Sequence, residues 1–115
     1  ELYKDDTVRV VEAYAKEEGY CSLHCHMFQS NIFIVRKGRL KIYIYDGSSP
    51  RATEVIALDK HRTTYAVAPG VRHRFLAMKD TDFHEVYVGF YNQGPDEDDI
   101  IREDIGSVMS VRPFI

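Results

Sequence analysis

Leu40-Lys41-Ile42-Tyr43-Ile44-Tyr45 places Leu40, Ile42 and Ile44 on one face and Lys41, Tyr43 and Tyr45 on the other, the period-2 pattern of an extended chain whose successive side chains point to opposite sides. Lys37-Gly38 makes a tight turn before it, and Asp46-Gly47-Ser48-Ser49-Pro50 forms a loop after it, each built from residues that suit turns. The same grammar continues in both directions. Val8 to Tyr14, Tyr20 to His26 and Asn31 to Arg36 precede this strand; Ala52 to Leu58, Thr64 to Val67, Arg72 to Met78 and Phe83 to Tyr91 follow it. These runs are rich in Val, Ile, Tyr and Phe, which fit a pleated, half-buried surface. No helical period is sustained, so the expected fold is all-β, with roughly eight short strands. After the acidic loop Gly94 to Asp99 two readings stand open for Ile100 to Ile105: a short helical turn, or a solvated surface stretch that packs back on the barrel through Ile101 and Ile105.

A chain of 115 residues has room for one domain, 1–115, and no second. With 44% hydrophobic and 29% charged residues it can fill a core and keep a solvated surface. A net charge of −3 leaves no basic excess for phosphate backbones, which argues against nucleic acid as a partner. No apolar run reaches bilayer length and no leader pattern opens the sequence, so a soluble, cytoplasmic protein without membrane contact is expected. Cys21 and Cys25 would lie about 13 Å apart on a strand, beyond disulfide reach, and are expected as free thiols.

His24 and His26 flank one residue, so on a strand both imidazoles project from one face, with backbones about 7 Å apart. His73 follows the turn Pro69-Gly70 by three residues, and antiparallel barrels bring such remote strands side by side. Three neutral imidazoles suit a divalent transition metal, Fe, Mn, Zn or Ni, better than Mg or Ca.

The run Gly19 to Gly38 resembles the first motif of the cupins: His24, His26 and Gly38 fall on its His-x-His and glycine spacing. Gly70-x-x-His73 looks like the second motif. The resemblance implies a jelly-roll barrel, a double-stranded β-helix, with one metal at His24, His26 and His73. Three departures accompany it. Asn31 stands where the motif has its glutamate ligand, Ala77 replaces an asparagine, and the proline is shifted by one to Pro69. A neutral amide in place of a carboxylate leaves a bound dication its full charge and favours anionic ligands. Asn31 is the implied fourth metal neighbour, with Gln29 as an alternative amide.

If that inward direction holds, Asn31, Phe33 and Val35 face the interior, while Ile32 and Ile34 face outward, against a second layer or a partner subunit, and a homodimer is expected. On the last long strand His84, Val86 and Val88 alternate with Glu85, Tyr87 and Gly89; the sequence does not fix which set is inside. An inward Glu85 is a candidate general base, and an outward one a surface charge. His61 and His84 are expected to be exposed. Tyr20, Tyr65 and Tyr87 are candidate pocket hydroxyls. Arg72 and Arg74, on the face opposite His73, are expected to serve solubility or an interface. Three functions fit a small-molecule ligand: a three-histidine, dioxygenase-like enzyme, a sugar or sugar-phosphate isomerase or epimerase, and a non-catalytic binding module. The second draws on a loose likeness of Asp98 to Gly106 to the tails of small sugar-processing cupins.

Overall fold

The computed structural model describes residues 1–5, 7–89 and 99–103. These form β1 (Tyr3–Lys4), β2 (Val8–Ala15), β3 (His24–Cys25), β4 (Gln29–Lys37), β5 (Leu40–Tyr45), β6 (Glu54–Leu58), β7 (Thr64–Val67), β8 (Arg72–Ala77), β9 (Thr81–Gly89) and β10 (Ile101–Arg102). Two antiparallel five-stranded sheets result, ordered β1-β2-β9-β4-β7 and β10-β3-β8-β5-β6. Among the described residues no helix is long and apolar enough to cross a membrane.

The expected strands stand where the alternation put them, with two corrections. Only His24–Cys25 of the run Tyr20 to His26 is regular strand; Tyr20 makes a single bridge to Leu76. Backbone bonds from Glu18 to Ala77, Ala77 to Gly19 and Cys21 to Phe75 carry the approach along β8. The stretch after the acidic loop begins as β10 rather than as a helical turn, paired with β3 through Ile101 opposite Cys25 and Arg102 opposite His24, and Ile101 is exposed rather than packed back on the barrel. An open edge of β3 takes up the backbone groups that a helical turn would have bonded internally. Phe90 and Tyr91 of the expected last strand, Gly94 to Asp98, Asp104 and Ile105 lie outside the described residues.

Both faces of β5 are buried. Leu40, Ile42 and Ile44 join Phe33, Val35, Ile56, Leu58, Val67 and Phe83 between the sheets, each such side chain contributing about 1.5–3 kcal/mol. Tyr43 and Tyr45 lie behind, in a second cluster with Tyr20, Leu23 and Leu76. The interior changes character along its length. On β4 the inward residues run Gln29, Asn31, Phe33, Val35; on β8, His73, Phe75, Ala77; on β9, Tyr87, Glu85, Phe83. Registers that pair Phe33 with Glu85 and Asn31 with Tyr87 align these gradients. One end of the barrel is therefore an apolar plug and the other a polar pocket.

The plug end is closed by the β4–β5 turn, where Gly38 has φ +103°. A Cβ there would come within 2.5 Å of the Asp80 carbonyl oxygen and 2.6 Å of Thr81 Oγ1. Only glycine meets both demands, a left-handed backbone and contact with the neighbouring turn.

Candidate metal centre

His24 lies directly opposite His73 across the β3–β8 pair, so their imidazoles share the inner face. His26 follows on the same side, just past the end of β3. The ring centroids are 4.4 Å apart for His24 and His73, 5.0 Å for His24 and His26, and 5.7 Å for His26 and His73. One nitrogen from each ring lies within 4.8 Å of the others.

Backbone carbonyls fix the tautomers. Nδ1 of His24 donates to Ser22 O at 2.6 Å, Nδ1 of His26 to Asp99 O at 2.6 Å, and Nδ1 of His73 to Val71 O at 2.9 Å. A carbonyl oxygen only accepts, so each proton sits on Nδ1 and each Nε2 keeps its lone pair. Among the described residues, Nε2 of His26 and of His73 is buried without a hydrogen-bond partner. Two orphaned acceptors in one pocket are costly unless something binds them, and a transition-metal ion is what this donor set fits. Burial lowers all three imidazole pKa values, to about 4 for His24 and about 3 for His73, so the rings stay neutral at ordinary pH. Neutral imidazole is the form that ligates.

Glu85 and Tyr87 enter from the facing sheet. The Tyr87 ring stands edge-on to His26 at 5.5 Å. Asn31 Nδ2 donates to Glu85 Oε1 at 3.4 Å, and Tyr87 hydrogen-bonds the same carboxylate. Burial raises the Glu85 pKa against these bonds and the positive charge of Arg9. Tyr87 is raised as well, by burial and then by Glu85. Arg9, across β2 from Tyr87, holds its guanidinium 5.4 Å above the Tyr87 ring.

No protein-family model matches the sequence, and no curated protein matches it. Solved structures do match. An uncharacterised protein with a double-stranded β-helix domain from Klebsiella pneumoniae shares 16% identity at a TM-score of 0.67, with 88% of this chain and 74% of that one covered. Pac13 of Streptomyces, a nucleoside dehydratase, shares 16% at 0.69, covering 93% and 77%. The dTDP-4-dehydrorhamnose 3,5-epimerase of Sulfolobus tokodaii shares 19% at 0.61, covering 84% and 57%. The chain has the cupin fold.

Within this cupin barrel the sequence-derived residues separate. His24, His26 and His73 come together as spacing implied. Asn31 is on the inner face, 1% exposed, its amide nitrogen turned to Glu85 and its Oδ1 without a partner among the described residues. Gln29 sits behind His26, its Nε2 3.3 Å from His26 Nδ1 and 3.4 Å from Asp99 O, on the side of the ring away from Nε2. His61 is exposed, whereas His84 is half-buried on the outer face, between Glu12 and Ile34 in register. Of the tyrosines, Tyr20 belongs to the rear cluster and Tyr65 packs on the apolar core, leaving Tyr87 at the site. Cys21 and Cys25 are free, and burial pushes the Cys21 thiol up to about 12.

Arg72 and Arg74 overturn their expected role. Arg74 is 2% exposed and stacks over the Tyr45 ring, as does Arg72. Arg72 also grips both carboxylate oxygens of Glu103, at 2.6 and 2.8 Å, and donates to the carbonyls of Gly47 and Ser49. That fork holds β10 and so the carbonyl that orients His26. Asp99 completes the clamp, its carboxylate accepting from the backbone of Met27 and Phe28 at 2.9 Å each. Sequence reading missed Asp99 as a support because it lies 73 positions from His26 and no local motif marks it.

Proposed function

We propose that this chain is a metal-dependent enzyme that moves a proton on a small oxygenated, anionic molecule of the sugar or sugar-phosphate class, as an isomerase or epimerase does. The observation that carries this reading is the inward Glu85, held by Asn31 and Tyr87 on the wall facing three converging histidines. His24, His26 and His73 would hold the metal, which supplies Lewis-acid polarisation of a substrate carbonyl when bound. Glu85 in its carboxylate form takes a proton from the carbon beside that carbonyl, and its protonated form returns it. A raised pKa brings Glu85 toward the pH at which it can do both. Asn31 orients the carboxylate through its amide nitrogen, and Tyr87 does so through its hydroxyl. Arg102 shares the face of His24 and adds positive charge at the rim, which suits an anionic substrate. A dehydratase and an epimerase share the fold, reaction classes in which a proton leaves a carbon.

The test is isotopic. Protein purified without a nickel column is assayed for stoichiometric Fe, Mn, Zn or Ni, then incubated in heavy water with aldoses, ketoses and their phosphates. Solvent deuterium enters one substrate at a carbon-bound position. A second reading, the dioxygenase-like one, draws on the purely histidine donor set; it requires iron and substrate-dependent oxygen uptake without deuterium entry. Ligand affinity with neither reaction would make the chain a binding module.

The enzyme is proposed as a homodimer. Val10, Val86, Ile32 and Ala66 stand in one register row across β2, β9, β4 and β7, on the face turned away from the barrel interior. Such a continuous apolar row is suited to a self-complementary sheet contact. Light scattering at micromolar concentration should give twice the chain mass; a monomer counts against the pairing.

A further inference from the structure

At the plug end three separate loops converge on a cavity of about 630 Å³. The β4–β5 turn brings Arg36, Lys37 and Arg39, the β6–β7 loop brings Lys60 and His61, and the β8–β9 turn brings Lys79. Val35 and Gly38 are among the other lining residues, and Asp59 is the one carboxylate among them. Asp59 Oδ1 is already engaged, accepting from the backbone of His61 at 2.8 Å and of Arg62 at 3.4 Å. Five Lys and Arg residues thus line the cavity beside one carboxylate in a chain whose net charge is −3; Arg36 and Lys37 also border Glu12 and Asp82 in an adjoining cavity, with Lys37 opposite Asp82 in register. Gathering like charges opposes folding, and a bound anion would offset the excess that Arg39, Lys60 and Lys79 add on the cavity side.

The loops are locked to one another. Thr81 Oγ1 accepts from Arg39 N at 3.1 Å and lies within hydrogen-bond distance of the carbonyls of Arg39 and Lys79, which ties the first turn to the third. Val35 N donates to Thr63 O at 2.8 Å, which ties the second loop to β4. The backbones that carry the cations are therefore set before any ligand arrives, and preorganisation of this kind lowers the cost of binding. From Asn31 to Lys37 along β4 is about 20 Å at roughly 3.3 Å per residue, so this cavity is distinct from the histidine pocket.

We propose that the plug-end cavity is a binding site for a small anion carrying several phosphate groups. Concavity favours a compact ligand over a flat membrane, and among the described residues no Phe, Tyr or Trp lines the cavity to stack a nucleobase. Arg36 and Arg39 supply planar forks for phosphate oxygens, and Lys37, Lys60 and Lys79 supply point charges.

Tripolyphosphate is the probe, titrated calorimetrically into the full chain. It binds one per chain, at least about tenfold more tightly than orthophosphate, and raising salt from about 50 to about 200 mM weakens it about tenfold. His24→Ala binds it as wild type does, which separates this site from any metal at the histidines. Charge reversal in Lys37→Glu/Lys79→Glu weakens binding at least about tenfold, and Lys60→Glu, on an exposed loop, lowers it in the same direction should the double variant not fold. Lys41→Glu, outside the cavity, leaves it unchanged. Equal affinity in the cavity variants and wild type, or loss of binding in His24→Ala, overturns the proposal. Tighter binding of anionic vesicles or of a single-stranded oligonucleotide through the same lysines overturns the assignment to a small molecule.

Discussion

His73→Ala is expected to lose stoichiometric divalent metal, with affinity down by at least about a hundredfold, while the barrel stays folded. Loss of a group that merely supports a ligand costs about 10–100-fold, and His73 supplies one of the three nitrogens that converge among the described residues. Survival of the fold follows from the balance at this position. The ring is 0% exposed and packs edge-on to Phe33 at 6.1 Å, so truncation forfeits packing. It also removes a buried Nε2 that has no hydrogen-bond partner among the described residues, an orphan costing about 1–3 kcal/mol. The two effects oppose each other. What disappears is the metal's own contribution, about 2.7 kcal/mol at a hundredfold excess over Kd. Thermal unfolding with and without added metal separates these terms: wild type shifts upward and His73→Ala does not. His61→Ala, exposed and remote, should shift as wild type does. Equal metal loss in both variants would sink the three-histidine centre.

The three-histidine cluster was legible because its signal is local and redundant. One residue between His24 and His26 fixes a shared face, and Gly70 fixes where the strand bearing His73 begins. The fold was legible for a similar reason, since β5 alternates so strongly that its neighbours could be counted outward from it. Illegibility began where both faces of a strand are packed. On β9 the inward Glu85 and Tyr87 alternate with outward Val86 and Val88, so the apolar set marks the outer row of the sheet rather than the core. Polarity alone then points the wrong way, and only the pairing of Phe33 with Glu85 settles the register. Arg74 was misread on the same ground. Alternation opposite His73 suggests solvent, yet the rear of that sheet carries its own cluster around Tyr43 and Tyr45, and the guanidinium lies over Tyr45. The misread β10 marks a different limit. Two residues of strand have no period to detect, and their conformation is set by the edge of β3 and by the grip of Arg72 on Glu103.

Glu85→Gln separates the proton-moving role from the metal centre. Glutamine keeps the length of the side chain, and its amide oxygen can still accept from Asn31 Nδ2, so packing and metal stoichiometry should match wild type. The substitution removes the capacity to take up a proton. Deuterium entry into substrate should then fall by about 10²–10⁴-fold, the usual contribution of a positioned general base, mainly in kcat, with KM little changed. The pH profile supplies an independent readout. A base must be ionised to act, and burial lifts the Glu85 pKa above the ordinary carboxylate range. The wild-type rate therefore falls as pH drops below that raised value and levels off above it, and the residual rate of Glu85→Gln lacks this acidic limb. Tyr87→Phe removes one hydrogen bond that favours the carboxylate form, so it should move the limb to higher pH without abolishing it. If Glu85→Gln exchanges deuterium at the wild-type rate with its metal intact, Glu85 is a wall residue and the base lies elsewhere. If metal is lost together with activity, Glu85 supports the ion rather than the proton, and the oxygenase reading regains the ground that the inward carboxylate had taken from it.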